Sequence, residues 1–255
     1  MIANYHTHHT LCGHASGVSR RYVEAAIDLG LETLGFADHV PCEFPDGYIS
    51  SYRMYPEETK IYVDDILNLK EEYRGKIEIL LGYEAEYFPE LLDSMLKNIR
   101  QYPCDYLILG QHYTNNEYDG FYSGFRTCDP KILSRYTDQV IEALDTELFS
   151  CIVHPDLLNF YGDDELYKNE ALRLCEAAKK HQIPLELNLL GLTTHRAYPK
   201  DIFWEVASKV GNETIIGLDA HSPHAFTQEA VDLGIEYLNK FGITPIEKLK
   251  LKKVK

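Results

Sequence analysis

The chain is short of cations, of long apolar runs and of paired cysteines, and each shortage removes a class of function. Lys and Arg total 25 against 40 Asp and Glu, a formal net charge of −15 over 255 residues. Nucleic-acid backbones and anionic membrane surfaces are bound through Lys and Arg, so neither is an expected partner. No apolar stretch approaches the ~18 residues of a membrane-spanning helix. The first residues have no basic start ahead of a long apolar core, so no secretion signal is expected either. The six cysteines (Cys12, Cys42, Cys104, Cys128, Cys151 and Cys175) form no Cys-x-x-Cys pair, which argues against a zinc ribbon or a disulfide framework. Free thiols in a cytoplasmic protein are the expected state. No Gly-x-Gly-x-x-Gly follows the first apolar run to support a doubly wound dinucleotide fold. What remains is an ordinary globular composition, 45% hydrophobic and 25% charged, at a length that suits one large domain.

The pattern along the chain is an alternation. Short apolar runs at 1–5, 33–37, 77–83, 106–109, 151–153, 184–190 and 214–218 read as strands. Helical periodicity appears at 19–29, 57–73, 89–99, 130–144, 163–180, 201–210 and 227–241; in the first of these Tyr22, Val23, Ala26, Ile27 and Leu29 share a face and Gly30 ends it. Residues 113–128 are polar, aromatic and glycine-containing, and read as a long loop. Strict strand–helix alternation means a parallel sheet covered by helices. A parallel sheet of this length is most simply a closed barrel. Seven units are one short of the usual eight, so the expectation is an α/β fold, a distorted seven-stranded TIM-like barrel in a single domain.

Chemistry-bearing residues gather at the carboxyl ends of these strands. The first strand runs into His6-Thr7-His8, and alternation puts both imidazoles on one face. His39 follows the second strand, Glu84 and Glu86 the third, His112 the fourth, His154 the fifth, and Asp219 and His221 the seventh, with His14 in the first loop. The sixth strand offers Glu186 and Asn188 instead. In barrels this end carries catalysis. A His-rich set with carboxylates suits Zn, Mn or Fe, whereas Mg and Ca prefer all-oxygen sites. The set exceeds the needs of one ion and suffices for two or three. Clustered ions lower the pKa of bound water and clamp the attacking and leaving oxygens of a phosphoryl group. His9 and His181 read as structural, while His195 and His224 sit in loops on the active face.

His-Thr-His at 6–8, His14, Ala-Asp-His at 37–39, Gly-Tyr-Glu at 82–84, His112, His154-Pro-Asp and Asp-Ala-His at 219–221 together resemble the PHP (polymerase and histidinol phosphatase) family. Leu-Leu-Gly-Tyr-Glu-Ala-Glu-Tyr at 80–87, Asp-His-Val-Pro at 38–41 and Cys-Gly-His at 12–14 are similar to its monofunctional histidinol-phosphatases. The resemblance covers nearly the whole chain and implies one PHP-type metal-dependent phosphoesterase domain over 1–255, with a trinuclear centre. It implies that His6, His8, Glu84 and Asp219 hold one ion. Glu84 would bridge to a second, held also by His112 and His154, and His14, His39 and His221 would hold the third. The implied activity is hydrolysis of L-histidinol phosphate, a step of histidine biosynthesis, by a metal-bound hydroxide. Gly-Gln-His-Tyr at 110–113 departs from the Ser-Val-His expected near the fourth strand.

By loop position, Arg126 and Arg196 are the expected phosphate-binding cations, ahead of Arg20 and Arg53. Asp156, two residues past His154, is expected to protonate the leaving alcohol or to orient His154. The aromatic loop, with Tyr113, Glu117, Tyr118, Asp119, Phe121, Tyr122 and Phe125, is expected to rim the pocket for the amine and ring of the substrate. The alternatives are a PHP phosphoesterase acting on a nucleotide or a phosphotyrosine, an amidohydrolase, and a non-catalytic metal-binding module. The amidohydrolase reading lacks the Lys it usually needs at the fourth strand end, which here reads Gly-Gln-His.

Overall fold

A computed structural model describes residues 1–254. Along the chain it places β1 (Ala3–Asn4), α1 (Ser19–Asp28), β2 (Thr33–His39), α2 (Thr59–Glu72), β3 (Glu78–Ala85), α3 (Leu92–Ile99), β4 (Tyr106–Leu109), β5 (Tyr113–Thr114), β6 (Phe121–Tyr122), α4 (Pro130–Leu144), β7 (Phe149–Ile152), α5 (Asp164–His181), β8 (Leu185–Asn188), α6 (Leu189–Thr193), α7 (Asp201–Val210), β9 (Thr214–Gly217) and α8 (Gln228–Asn239). Seven strands form one parallel sheet in the order β1-β2-β3-β4-β7-β8-β9. The sheet curls until its edges meet. His8 N donates to Ala220 O at 2.9 Å and Ala220 N to His6 O at 3.1 Å, beside a parallel bridge between Thr7 and Ala220. Buried Asn4 staples the same seam: its Oδ1 accepts Leu218 N at 2.9 Å, and its Nδ2 donates to His6 O at 3.1 Å and Thr7 Oγ1 at 2.7 Å. The fold is thus a nearly closed, seven-stranded α/β barrel.

Local chemistry explains the helices. Asp129 caps α4 ahead of Pro130, Asp163 caps α5 through Glu165 N and Leu166 N, and Thr227 caps α8 through Ala230 N. In α5, Tyr167, Ala171, Leu174, Cys175 and Ala178 recur on one buried face, and Lys179, Lys180 and His181 sit where the helix dipole favours cations. Helices and strands enclose an outer core that includes Leu34, Phe36, Tyr62 and Trp204. Inside the barrel lies a smaller cluster of Tyr5, Leu80, Tyr106, Ile108, Val153 and Leu249. Tyr106 fills this space because two strands are bare beside it. A Cβ on Gly35 would lie 2.2 Å from its hydroxyl, and one on Gly82 2.5 Å from its ring. Leu249, from the C-terminal segment, closes the lower end and donates its N–H to Tyr5 Oη at 3.2 Å.

The expected strand over 184–190 stops at Asn188, whose Oδ1 accepts Gly191 N at 2.9 Å and turns the chain into α6. The 113–128 loop contains the antiparallel pair β5–β6, too short to leave a strand pattern in the sequence. Among the described residues, no helix is long and apolar enough to cross a membrane.

Candidate metal centre

Strand ends deliver the cluster. His6 and His8 flank Thr7 at the barrel seam, His39 ends β2 opposite Glu84 of β3, and His112, His154 and Asp219 follow β4, β7 and β9. Glu84 fits because the next strand is bare: a Cβ on Gly110 would lie 1.9 Å from Glu84 Oε1. His154 and Asp219 have φ of +32° and +50°, a region costly for residues other than glycine and characteristic of functional sites.

Four buried atoms, His6 Nε2, His8 Nε2, Glu84 Oε2 and Asp219 Oδ1, have no hydrogen-bond partner among the described residues. They face one another: His6 Nε2 is 3.6 Å from Glu84 Oε2 and 3.4 Å from Asp219 Oδ1, and His8 Nε2 is 3.6 and 3.1 Å from the same atoms. Tetrahedral ligands at ~2.1 Å from a zinc-sized ion stand ~3.4 Å apart, so these residues fit a cation. The other Glu84 oxygen, Oε1, lies 2.9 Å from His154 Nε2 and 3.5 Å from His112 Nε2, while His39 Nδ1 lies 3.1 Å from Oε2. His14 and His221 engage the Cys12 and Asp219 carbonyls through Nδ1 at 2.9 and 3.0 Å. Their Nε2 atoms then meet as lone pairs at 3.0 Å, an arrangement that calls for a cation or proton between them.

A second layer of carboxylates sets the rings. His6 Nδ1 pairs with Glu186 Oε1 at 2.9 Å, His8 Nδ1 with Asp38 Oδ1 at 3.2 Å and His112 Nδ1 with Glu86 Oε1 at 2.9 Å. Such pairs, with Nδ1–H donating to the carboxylate, leave the Nε2 lone pair free and raise its basicity. Glu86 is held in turn by the buried Arg53 guanidinium at 3.1 Å. The electrostatics fit a cation site. Burial alone would raise the Glu84 carboxyl, but His112, His39 and His6 and the bond from His154 hold it well below the usual range. Burial opposes charge on His6 and His8, yet the carboxylates around them outweigh it and raise both well above 6.5. Burial and neighbouring His8 push His221 down to about 3, and burial lowers His39. Protons on His6 and His8 offset the carboxylates here, and a bound cation would supply that positive charge in their place and leave the imidazoles neutral as ligands.

Above the cluster opens a cavity of about 480 Å³, walled by Tyr52, Tyr113, Tyr122, Tyr198, Leu157, Leu190 and Arg196. His6, His8, His14, His39, Glu84, His112, His154, Asp219 and His221 thus come together, with Arg196, Tyr113 and Tyr122 beside them. Other expectations need correcting. Arg126 is exposed and stacks over the Tyr161 ring at 4.2 Å, off the cavity wall. Asp156 is not on the wall either: it is buried, and its Oδ2 accepts Lys200 N at 2.7 Å. Arg20 pairs with Glu72 on the surface, and Arg53 is committed to Glu86 and Glu117. Glu117 is therefore neutralised rather than open to a substrate amine. His195 and His224 line a separate concavity beside α8, and His9 caps the turn after the seam and pairs with Asp65 at 3.2 Å. Sequence reasoning missed Tyr52 and Tyr198 as wall residues and Glu186 and Asp38 as ring orienters. Only Glu186 and Asp38 carried a signal, as carboxylates near strand ends.

A family model described as PHP domain matches residues 4–190. The chain is 30% identical over 228 residues to a probable histidinol-phosphatase of Deinococcus radiodurans, covering 87% of each protein. It is 25% identical over 279 residues to a probable histidinol-phosphatase of Schizosaccharomyces pombe, covering 96% of this chain and 89% of that one. Among solved structures, histidinol phosphate phosphatase from Lactococcus lactis, complexed with zinc, L-histidinol and phosphate, shares the fold with a TM-score of 0.73 at 18% identity, covering 98% of both chains.

Proposed function

The chain belongs to the PHP domain family, and from that premise we propose that it is a metal-dependent histidinol-phosphatase, hydrolysing L-histidinol phosphate to L-histidinol and phosphate. The observation that carries the chemistry is the set of four unpaired, buried ligand atoms held 3.1–3.6 Å apart across the barrel seam.

In this reading His6, His8, Glu84 and Asp219 hold one divalent ion, Glu84 with His112 and His154 a second, and His14, His39 and His221 a third; zinc, manganese and iron suit the donors. The ions, when bound, activate water and neutralise the charge that builds on the phosphoryl oxygens. The protein's own groups do the rest. Arg196, exposed at the mouth of the cavity, offers a cation to the phosphate. Its Nη1 donates to Tyr198 Oη at 3.2 Å. Burial raises the Tyr198 hydroxyl far above neutrality, so it stays protonated, and its own proton is free to bond a phosphate or leaving oxygen. Tyr113, Tyr122 and Tyr52 supply an aromatic wall for the imidazole ring. A cytoplasmic setting, where thiols stay reduced, suits the six free cysteines.

The test is a substrate panel after reconstitution with each metal. Histidinol phosphate should exceed a plain alkyl phosphate by ~10²-fold or more in kcat/KM, because the alkyl ester forgoes burial of a ring against the wall of Tyr52, Tyr113 and Tyr122. Equal rates, or a phosphotyrosine peptide turning over faster, would remove histidinol phosphate as the dedicated substrate.

A further inference from the structure

β8 is the strand of the barrel whose end brings no ligand to the cluster, yet it brings Asn188, a buried amide whose hydrogen-bonding groups are spoken for. Its Nδ2 donates to Glu186 Oε2 at 2.9 Å and to Asp219 Oδ2 at 3.1 Å, and its Oδ1 accepts Gly191 N at 2.9 Å. Each carboxylate that shares this amide uses its other oxygen on the cluster, Asp219 directly and Glu186 through His6. Asp219 Oδ1 is one of the four unpaired atoms, and Glu186 Oε1 holds His6 Nδ1 at 2.9 Å, aiming Nε2 toward Asp219 Oδ1. Glu186 is seated tightly, since a Cβ on Gly217 would lie 1.8 Å from Oε1, and its Oε2 also takes His154 N at 3.1 Å.

We propose that Asn188 is a positioning residue for the first ion, clamping Glu186 and Asp219 so that His6 and Asp219 are presented together. The proposal rests on the metal-centre reading above. The residue type follows from the task. Two carboxylates repel, and what holds them side by side is a pair of N–H donors on one rigid plane. A hydroxyl has one proton to give, and a third carboxylate has none at neutral pH. The clamp matters most at Asp219, whose backbone is strained at φ +50° and whose carboxylate, among the described residues, has no side-chain donor besides Asn188 and the histidines. Asn188 is no ligand itself, because its oxygen is committed to the α6 cap.

That cap is the competing, purely structural role, and two variants separate them. Asn188→Asp keeps the size and the cap acceptor but removes the donors. Asn188→Ala removes both. Each is depleted of metal, then titrated with zinc against a competing chelator, with bound ions counted and thermal unfolding followed in chelator. The expected result for Asn188→Asp is a protein that keeps the α6 cap but unfolds earlier in chelator, because a third carboxylate joins two, with one binding step weakened ~10–100-fold, the scale seen when a ligand's supporting partner is removed, and the other steps unchanged. Asn188→Ala should lose the same step and also unfold earlier. Should Asn188→Asp not fold, Glu186→Gln carries the test. Its amide favours the wrong His6 tautomer, and the same step should weaken. Parental zinc stoichiometry and affinity in Asn188→Asp, or in Glu186→Gln if that carries the test, would reduce Asn188 to a helix cap and overturn the proposal. A parent protein that itself binds no zinc would overturn the metal-centre reading instead.

Discussion

Glu84→Gln is the sharpest perturbation of the site, because it removes a charge while leaving the shape. Five imidazoles approach this one carboxylate: His6 and His8 at 3.6 Å and His39 at 3.1 Å from Oε2, His154 at 2.9 Å and His112 at 3.5 Å from Oε1. Glu84 thereby touches both halves of the cluster, whereas Asp219 touches only the half at the seam. A unit charge pair at ~4 Å in an environment of effective dielectric ~20 is worth ~4 kcal/mol. On the proposed reading Glu84 would lie between two dications and have more to lose, and ~3 kcal/mol lost from the transition state is already about two decades in rate. We expect kcat/KM for phosphate release to fall at least ~10²-fold, the scale of a lost key electrostatic group, with fewer ions per chain by elemental analysis. Glu86→Gln should cost less, about 10-fold, since Glu86 acts on the cluster only through His112 Nδ1. If Glu86→Gln abolishes activity and Glu84→Gln does not, the assignment of the bridging carboxylate is wrong.

Gly110→Ala should be nearly as damaging as Glu84→Gln, because its Cβ would enter the space of Glu84 Oε1; a variant with full metal content and activity would show that the carboxylate can sit elsewhere. Asn4→Ala leaves Leu218 N without its buried acceptor and should cost ~1–3 kcal/mol in denaturant unfolding; no change would mean that the seam is held by the backbone alone. Asp156 has its carboxyl raised by burial from 3.8 to about 6, so the unfolded chain ionises first as pH rises. The stability this group gives is full below pH ~4 and is lost between pH ~4 and ~6. Asp156→Asn should therefore gain on the parent across that window by up to about 3 kcal/mol, since each pH unit between the two ionisations is worth about 1.4 kcal/mol. Shared metal effects cancel in the difference. A constant difference from pH 4 to 7 would contradict this, and a rate loss beyond a few-fold would return Asp156 to the chemistry.

Much of the fold was legible because parallel strands buried on both faces leave apolar runs, and caps such as Asp129-Pro130 mark helix starts within a residue. The hairpin β5–β6 was not, since two-residue strands have no period. The site was legible because a barrel brings every strand end to one rim, so placing residues on strand ends already places them in space. Loop residues escape that rule. Arg126 and Arg196 look alike in sequence, and what parts them is packing: one stacks on distant Tyr161, the other bonds Tyr198 at the cavity wall. The orienting pairs His6–Glu186 and His8–Asp38 join residues far apart in the chain, and only tertiary structure sets such distances.

The most direct test of the central claim is phosphate release from L-histidinol phosphate as metal is returned to the chelator-treated protein. Activity should be negligible without metal, return with zinc, manganese or iron, and saturate at two or three bound ions per chain. Full activity in excess chelator, with elemental analysis finding no metal, would contradict that claim.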